Sequence, residues 1–357
     1  MVDIGQLEQR FQSIATRTVF DWVARANGSL TYTWNIAAWD AIALSPHMLR
    51  GASARPDTSV TVLGQRVATP VLLSPAGMPE NLHPEQELDV ARGAAAAGSL
   101  ISLSQWSTKT MEEVASAAPA APRWFQLYLS GDRGFCAELL QRAEAAGYSA
   151  IVLTVDVGQV EMPVAGAGGV DDGDRPDPVY ANPPMVGRDP FDGTLSLRDI
   201  DWLKARCSLP LVVKGVLRAD DAVECVRAGA NAIQVSNHGG RALDTAIPSA
   251  VALPAIARAV EGRAEVYVDG GIRHGRDVIK ALALGARAVF IGEPWMVAVT
   301  VGGAAAVTEL ITGLTFELAR TMNQCGLSRL SEISGDILSD PKLIAGLAAL
   351  PASTPVA

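Results

Sequence analysis

Asn231-Ala232-Ile233-Gln234-Val235-Ser236-Asn237-His238-Gly239-Gly240-Arg241-Ala242-Leu243-Asp244 runs from a short apolar segment into a polar turn with two glycines. Its first five residues read as a buried strand. A histidine, two glycines and an arginine then follow where a strand delivers its C-terminal end. An imidazole exchanges a proton near neutral pH. A guanidinium three residues later can hold a carboxylate through two parallel hydrogen bonds. Together they suit removing a proton from a small organic acid whose carboxylate is clamped. A glycine turn carrying a stray histidine is the bland alternative.

The same texture, a short apolar run ending in a polar or glycine turn, recurs on both sides of this stretch. Strands are predicted at 71–74, 99–103, 124–128, 150–154, 210–214, 232–235, 265–268 and 288–291. Helical patterns fall between and after them, near 86–97, 110–117, 132–146, 197–206, 219–228, 247–261, 274–284 and 302–324. Eight strand–helix alternations predict a parallel (β/α)8 barrel rather than an open doubly wound sheet. In such barrels chemistry gathers at the C-terminal ends of the strands. The polar residues of this chain fall there: Ser74, Ser104, Gln126 with Tyr128, Thr154 with Asp156, Lys214, His238 with Arg241, and Asp269 with Arg273.

One domain spanning 1–357 is expected, with a cap over 1–69, a barrel over 70–330 and a tail over 331–357. In the cap, Phe11, Ile14, Val19, Phe20 and Val23 are spaced for one apolar helix face. One or two amphipathic helices are expected over about 5–26, 30–44 continues the cap, and a small hairpin around Gly64 pairs 59–63 with 65–68. The longest break, 158–196, carries Gly166-Ala167-Gly168-Gly169 and several prolines and reads as a lid-like loop. The end, Pro351-Ala352-Ser353-Thr354-Pro355, is expected to fray.

The composition is that of a soluble enzyme, 49% hydrophobic and 19% charged, so a large core is available. A formal net charge of −9 argues against nucleic acid as a partner. An anionic substrate therefore needs local positive charge. Cys136, Cys207, Cys225 and Cys325 are scattered without a C-x-x-C pair, which predicts reduced thiols in a cytoplasmic protein. The histidines are as dispersed, so no metal site is expected. The N-terminus lacks a basic segment followed by an apolar one, so no signal peptide is expected. No apolar run reads as a membrane span.

Two glycine turns sharpen the reading, Val268-Asp269-Gly270-Gly271-Ile272-Arg273 and Ala288-Val289-Phe290-Ile291-Gly292. Such turns bring backbone N–H groups close to a phosphate. With the His238 stretch, they resemble the FMN-dependent 2-hydroxy-acid oxidases and dehydrogenases, the family of glycolate oxidase, lactate oxidase and mandelate dehydrogenase. The resemblance runs over roughly residues 16–330 and takes in Asn35-Ile36-Ala37-Ala38-Trp39 and Pro46-His47-Met48-Leu49-Arg50.

The resemblance implies a fold, a cofactor and a set of roles. His238 is the expected base, Asp156 its orienting partner, Arg241 the carboxylate clamp, and Tyr128 a hydroxyl against the substrate. Ser104, Gln126 and Thr154 are expected along the polar edge of the FMN ring, with Ala76 and Gly77 beside it. Lys214 is expected near the ring atoms that become negative on reduction. Gly271, Arg273 and Gly292 are expected about the phosphate, with Asp269 also among the cofactor-binding residues. The family also implies a homo-oligomer, commonly a tetramer, with oxygen or another acceptor reoxidising the flavin.

Three positions depart from the family pattern. Glu293 stands where an arginine normally follows the glycine at 292. A carboxylate there repels a phosphate dianion unless it pairs with a neighbour such as Arg273. Gln159-Val160-Glu161-Met162-Pro163 lacks the arginine that the family places after the equivalent of Asp156. Loss of such a charge contact costs roughly 2–5 kcal/mol of binding, unless Arg175 or Arg188 substitutes. Trp22 replaces a tyrosine, and with Trp106 and Met162 it would line an apolar pocket for an aromatic or bulky side chain. The expected reaction is oxidation of a mandelate-type 2-hydroxy acid to the 2-oxo acid. The alternatives are a specialised oxidoreductase acting on a tethered or non-carboxylate substrate, and a catalytically idle barrel serving as a binding subunit.

Overall fold

The structure, a computed structural model, describes residues 4–24, 26–77, 82–157, 181–182 and 192–339. Met162, Arg175, Arg188, most of the predicted 158–196 lid and the Pro351–Pro355 end lie outside the described residues.

Three helices open the chain: α1 (Ile4–Ile14), α2 (Arg17–Val23) and α3 (Leu30–Asp40). Thr16 and Ser29 start α2 and α3 as N-caps, accepting hydrogen bonds from the N–H groups of Val19 and Tyr32. Phe11, Val19 and Val23 are buried as their spacing predicts, but Ile14 at the end of α1 is exposed. A hairpin of β1 (Val60–Val62) and β2 (Gln65–Val67) follows, as expected around Gly64.

Eight parallel strands then close on themselves: β3 (Val71–Leu73), β4 (Ile101–Ser104), β5 (Arg123–Leu127), β6 (Ile151–Thr154), β7 (Leu211–Val216), β8 (Ala232–Val235), β9 (Glu265–Asp269) and β10 (Ala288–Ile291). The order is sequential and β10 pairs with β3, so the protein is a (β/α)8 barrel and the open sheet is excluded. The outer helices are α4 (Glu87–Ala96), α5 (Met111–Ala117), α6 (Arg133–Ala145), α7 (Leu197–Lys204), α8 (Ala219–Arg227), α9 (Ser249–Val260), α10 (Gly275–Ala283) and α11 (Glu293–Gln324).

Strand alternation divides the core into two clusters. Val71, Leu73, Phe125, Leu127, Ile151, Leu153, Val213 and Ile233 pack outward among the helices. Leu72, Trp124, Val152, Val212, Tyr267 and Phe290 fill the interior, joined by Val60, Val62 and Val67 of the hairpin. Trp124, Tyr267 and Phe290 meet with ring centroids 5.4–5.7 Å apart. The interior is a packed core, with no pore at this level. Toward the C-terminal ends the inward row turns polar, with Ser104 opposite Gln126, Thr154 opposite Lys214, and Lys214 opposite Gln234.

One helix differs from its sequence reading. A helix was predicted near 302–324, whereas α11 begins at Glu293 and is kinked at Gly302 and Gly303. The glycine pair reads as a break in sequence. In the fold, Gly303 takes φ +56° where a Cβ would lie 2.5 Å from the Asp89 carboxylate and 3.0 Å from the His83 ring. The kink thus seats α11 on the segment that carries α4. α11 is long and apolar enough to cross a membrane by length and composition. Its Val307, Leu310, Ile311, Leu314 and Leu318 are nevertheless buried at helical spacing, the pattern of a barrel's outer helix.

Candidate active site

The cleft at the C-terminal mouth of the barrel has an empty volume of about 1260 Å³, part of it open solvent. It is built from the turn after β8. Ser236 accepts a hydrogen bond from the His238 N–H at 3.1 Å, and Asn237 accepts one from Gly239 at 3.2 Å. Asn237 is in turn bound to Asn35 of α3 by two side-chain hydrogen bonds of 2.9 and 2.8 Å. These contacts hold His238 at φ +57°, a left-handed conformation costly for a residue with a Cβ. The strain sits on the residue that the sequence marks as the base.

His238 Nδ1 lies 2.8 Å from Asp156 Oδ1. With Nδ1–H donated to the carboxylate, Nε2 is the nitrogen that retains a lone pair. Burial alone would raise the Asp156 carboxyl. The charges of His238 and Lys214, with the His238 hydrogen bond, outweigh it and hold the group down at about 2. Gly215, at φ +109°, makes this approach possible, because a Cβ there would stand 2.6 Å from the Asp156 Cβ.

Lys214 is buried, donates to Ser236 Oγ at 2.9 Å, and lies 3.9 and 3.7 Å from Asp156 and Asp269. Gln234 donates to Asp269 at 2.7 Å, which fixes that carboxylate. Around this centre the buried Gln126 Nε2, Thr154 Oγ1 and Ser74 Oγ have no hydrogen-bond partner among the described residues. Buried polar atoms of this kind mark a place where a polar ligand edge completes the bonding.

At the outer side stand Trp22, Trp106 and Tyr128. Trp106 and Tyr128 have ring centroids 5.2 Å apart. Trp22 Nε1 donates to the Gly77 carbonyl at 3.0 Å, and a Cβ on Gly77 would stand 3.3 Å from the Trp106 Cβ. Burial, and then the nearby Asp156 charge, push the Tyr128 phenol above its ordinary range, so it stays protonated and can donate. Arg241 also lines the cleft, but its Nη1 and Nη2 donate to the Trp22 and Val23 carbonyls at 3.0 and 2.6 Å. A substrate carboxylate would compete with the end of α2 for this guanidinium.

At the other glycine turns, Arg273 Nη2 lies 2.6 Å from Glu293 and 3.1 Å from the Tyr32 hydroxyl. The Tyr32 hydroxyl donates to Glu293 at 3.3 Å. Glu293 thus pairs with Arg273 as the sequence allowed, yet it stays in the cleft wall.

The sequence model of the FMN-dependent dehydrogenases matches residues 12–163 and 174–340. The chain belongs to the FMN-dependent dehydrogenase family. It is 40% identical to the L-lactate oxidase of Nostoc sp., over 94% of this chain and 98% of that one. It is 37% identical to human 2-hydroxyacid oxidase 1, over 91% and 93%. A mandelate oxidase solved with (S)-2-phenylpropionate superposes with a TM-score of 0.84 at 35% identity, over 95% of this chain and 98% of that one.

As a member of this family the protein is an FMN-dependent oxidoreductase that acts on the CH–OH group of a 2-hydroxy acid. The residues present fit the cofactor at its ring end, where Gln126, Thr154 and Ser74 have unmet polar atoms and Lys214 supplies a buried cation. At the phosphate end the glycine turns fit, while the cation is already paired with Glu293.

The structure gathers Trp22, Ala76, Gly77, Trp106, Tyr128, Lys214, His238, Arg241, Asp269, Gly271, Arg273 and Gly292 on one cleft. Ser104, Gln126, Thr154 and Asp156 stand buried or nearly so at the strand ends around it. Met162 lies outside the described residues. Sequence reading missed Tyr32, a cap residue with no chemical pattern around it. It also missed Gln234, although a lone polar residue in the apolar run of β8 was a readable signal.

Proposed function

We propose that this enzyme oxidises an aromatic or bulky 2-hydroxy acid of mandelate type, with oxygen or another acceptor reoxidising the flavin. The observation that carries the reading is the aromatic wall of Trp22, Trp106 and Tyr128 at the mouth of the cleft. Large rings offer apolar area and edge contacts to a substrate ring. The likeness to a mandelate oxidase supports the same reading.

His238 takes a proton from the substrate at Nε2, and Asp156 holds the ring in place and stabilises the imidazolium that results. FMN, when bound, would accept the two electrons and the second hydrogen lost as the carbinol becomes a carbonyl. Tyr128 donates its hydroxyl to the substrate, and Arg241 turns from the α2 carbonyls to the carboxylate. Lys214 would supply a fixed buried cation to stabilise the negative charge the flavin gains on reduction. The four cysteines are buried and free, which is compatible with the cytoplasmic setting we assign.

Anaerobic mixing of FMN-loaded protein with mandelate, 4-hydroxymandelate and glycolate tests the proposal by the oxidised-flavin absorbance. The aromatic acids should bleach it at least tenfold faster than glycolate. Faster bleaching by glycolate would overturn the aromatic reading. The engagement of Arg241 by backbone carbonyls favours a second reading, a substrate without a free carboxylate. Methyl mandelate reducing the flavin as fast as mandelate would favour that one.

A further inference from the structure

The Arg273–Glu293 pair has a consequence for how this chain holds its flavin. Arg273 sits in the wall of the cleft beside Gly270, Gly271 and Gly292, where backbone N–H groups and a guanidinium form a place for an anion. Its side chain is 13% exposed, and that of Glu293 is 14%. The carboxylate is 2.6 Å from Arg273 Nη2, and the Tyr32 hydroxyl bridges the pair, within 3.1 Å of Arg273 and 3.3 Å of Glu293. A second carboxylate, Glu8, stands 3.7 Å from Arg273 Nε. Arg273 therefore already faces two carboxylates before any phosphate arrives.

The placement of Glu293 is reinforced from its own element. It is the first residue of α11, where the helix dipole favours a negative side chain. Gly271, at φ +79°, presses against the Asn35 backbone, so that a Cβ would lie 2.5 Å from the Asn35 carbonyl oxygen. That contact fixes the turn carrying Arg273 against α3, which also carries Tyr32. The pair is thus held from α3, α11 and the turn after β9.

We propose that Glu293 is a resident anion for Arg273, so that the phosphate of FMN contributes little to cofactor binding in this chain and the ring end carries the affinity. A phosphate dianion approaching the glycine turns must share Arg273 with a carboxylate that repels it in a partly buried place. Riboflavin, which has the same ring and no phosphate, is the direct comparison. The inference concerns the cofactor alone and is independent of which 2-hydroxy acid is oxidised.

The test is a pair of titrations. Protein stripped of flavin is titrated with FMN and with riboflavin, and binding is followed by quenching of flavin fluorescence. Wild type should bind FMN less than tenfold more tightly than riboflavin. Glu293→Gln keeps the hydrogen-bonding shape and removes the charge, and should raise the FMN-to-riboflavin affinity ratio at least tenfold by tightening FMN alone. A ratio that stays within tenfold of the wild-type value in the variant would overturn the proposal. Should the variant not fold, the wild-type comparison decides: a preference for FMN of more than tenfold counts against Glu293 as a resident anion.

Discussion

His238 combines a left-handed backbone with a side chain committed to a carboxylate, and both costs fall on one residue. His238→Ala should keep bound FMN while reduction of the flavin by substrate slows by about 10²–10⁴-fold, the usual worth of a general base. Stopped-flow absorbance of the loaded variant checks this, and unimpaired reduction would remove His238 from the chemistry. Asp156 makes a separate prediction in stability. Its carboxyl is held at about 2, below the ordinary carboxylate range near 3.9. A depressed group stabilises the fold above its unfolded value, and that stabilisation is lost as pH falls toward the folded one. The Tm advantage of wild type over Asp156→Asn should therefore be full above about pH 4 and shrink toward pH 2. A pH-independent difference would mean that Asp156 does not act through its charge.

At the level of elements, the strands were legible because short apolar runs ended in polar turns eight times over. Lys214, Thr154 and Gln126 could be placed at the mouth for the same reason, each being the inward polar residue at a strand's C-terminal end. The pairing of His238 with Asp156 joins residues 82 positions apart, and no local pattern encodes it. Arg241 was readable as a cation near the histidine, while its attachment to the end of α2 depends on how the cap folds over the mouth. The first turns of α11 were hidden by Gly302-Gly303, and Ile14 was assigned to an apolar face that α1 does not cover. Within β7, the irregularity between Lys214 and Val216 places Gly215 against Asp156. Gly215→Ala forces a Cβ into that contact at a positive φ, and should cost about 1–3 kcal/mol of stability together with most of the activity. Urea unfolding and flavin reduction measure the two effects, and a neutral result in both would show that the strand can shift.

For the whole molecule, the exposed apolar residues are unevenly placed. Leu30 and Trp34 lie one turn apart on α3, and Leu243, Ile247 and Val251 lie between the turn after β8 and the start of α9, a stretch that Asp244 and Leu243 tie to Thr31 of α3. Exposed apolar patches are where proteins commonly meet partners. The homo-oligomer expected from the family resemblance is a proposal, and this patch is where we would place its contact. Light scattering after gel filtration should give a multiple of 37.3 kDa, and Trp34→Lys with Val251→Lys should lower it. A monomer at micromolar concentration would count against that assembly.

The last strand pairs with the first, Val289 beside Val71, and the cap is stitched to the far end of the chain where Ser45 meets Ile337 and Ser339 meets Ala43. On a ribosome these partners emerge far apart in time. At ~5–20 residues per second, the wait between Val71 and Val289 is on the order of ten seconds or longer. Throughout that interval the edge of β3 has no partner and the interior aromatics have no closed wall. Until β10 arrives the nascent barrel therefore presents an open sheet edge, so the same ring closure that seals the finished core leaves it unsealed for most of synthesis.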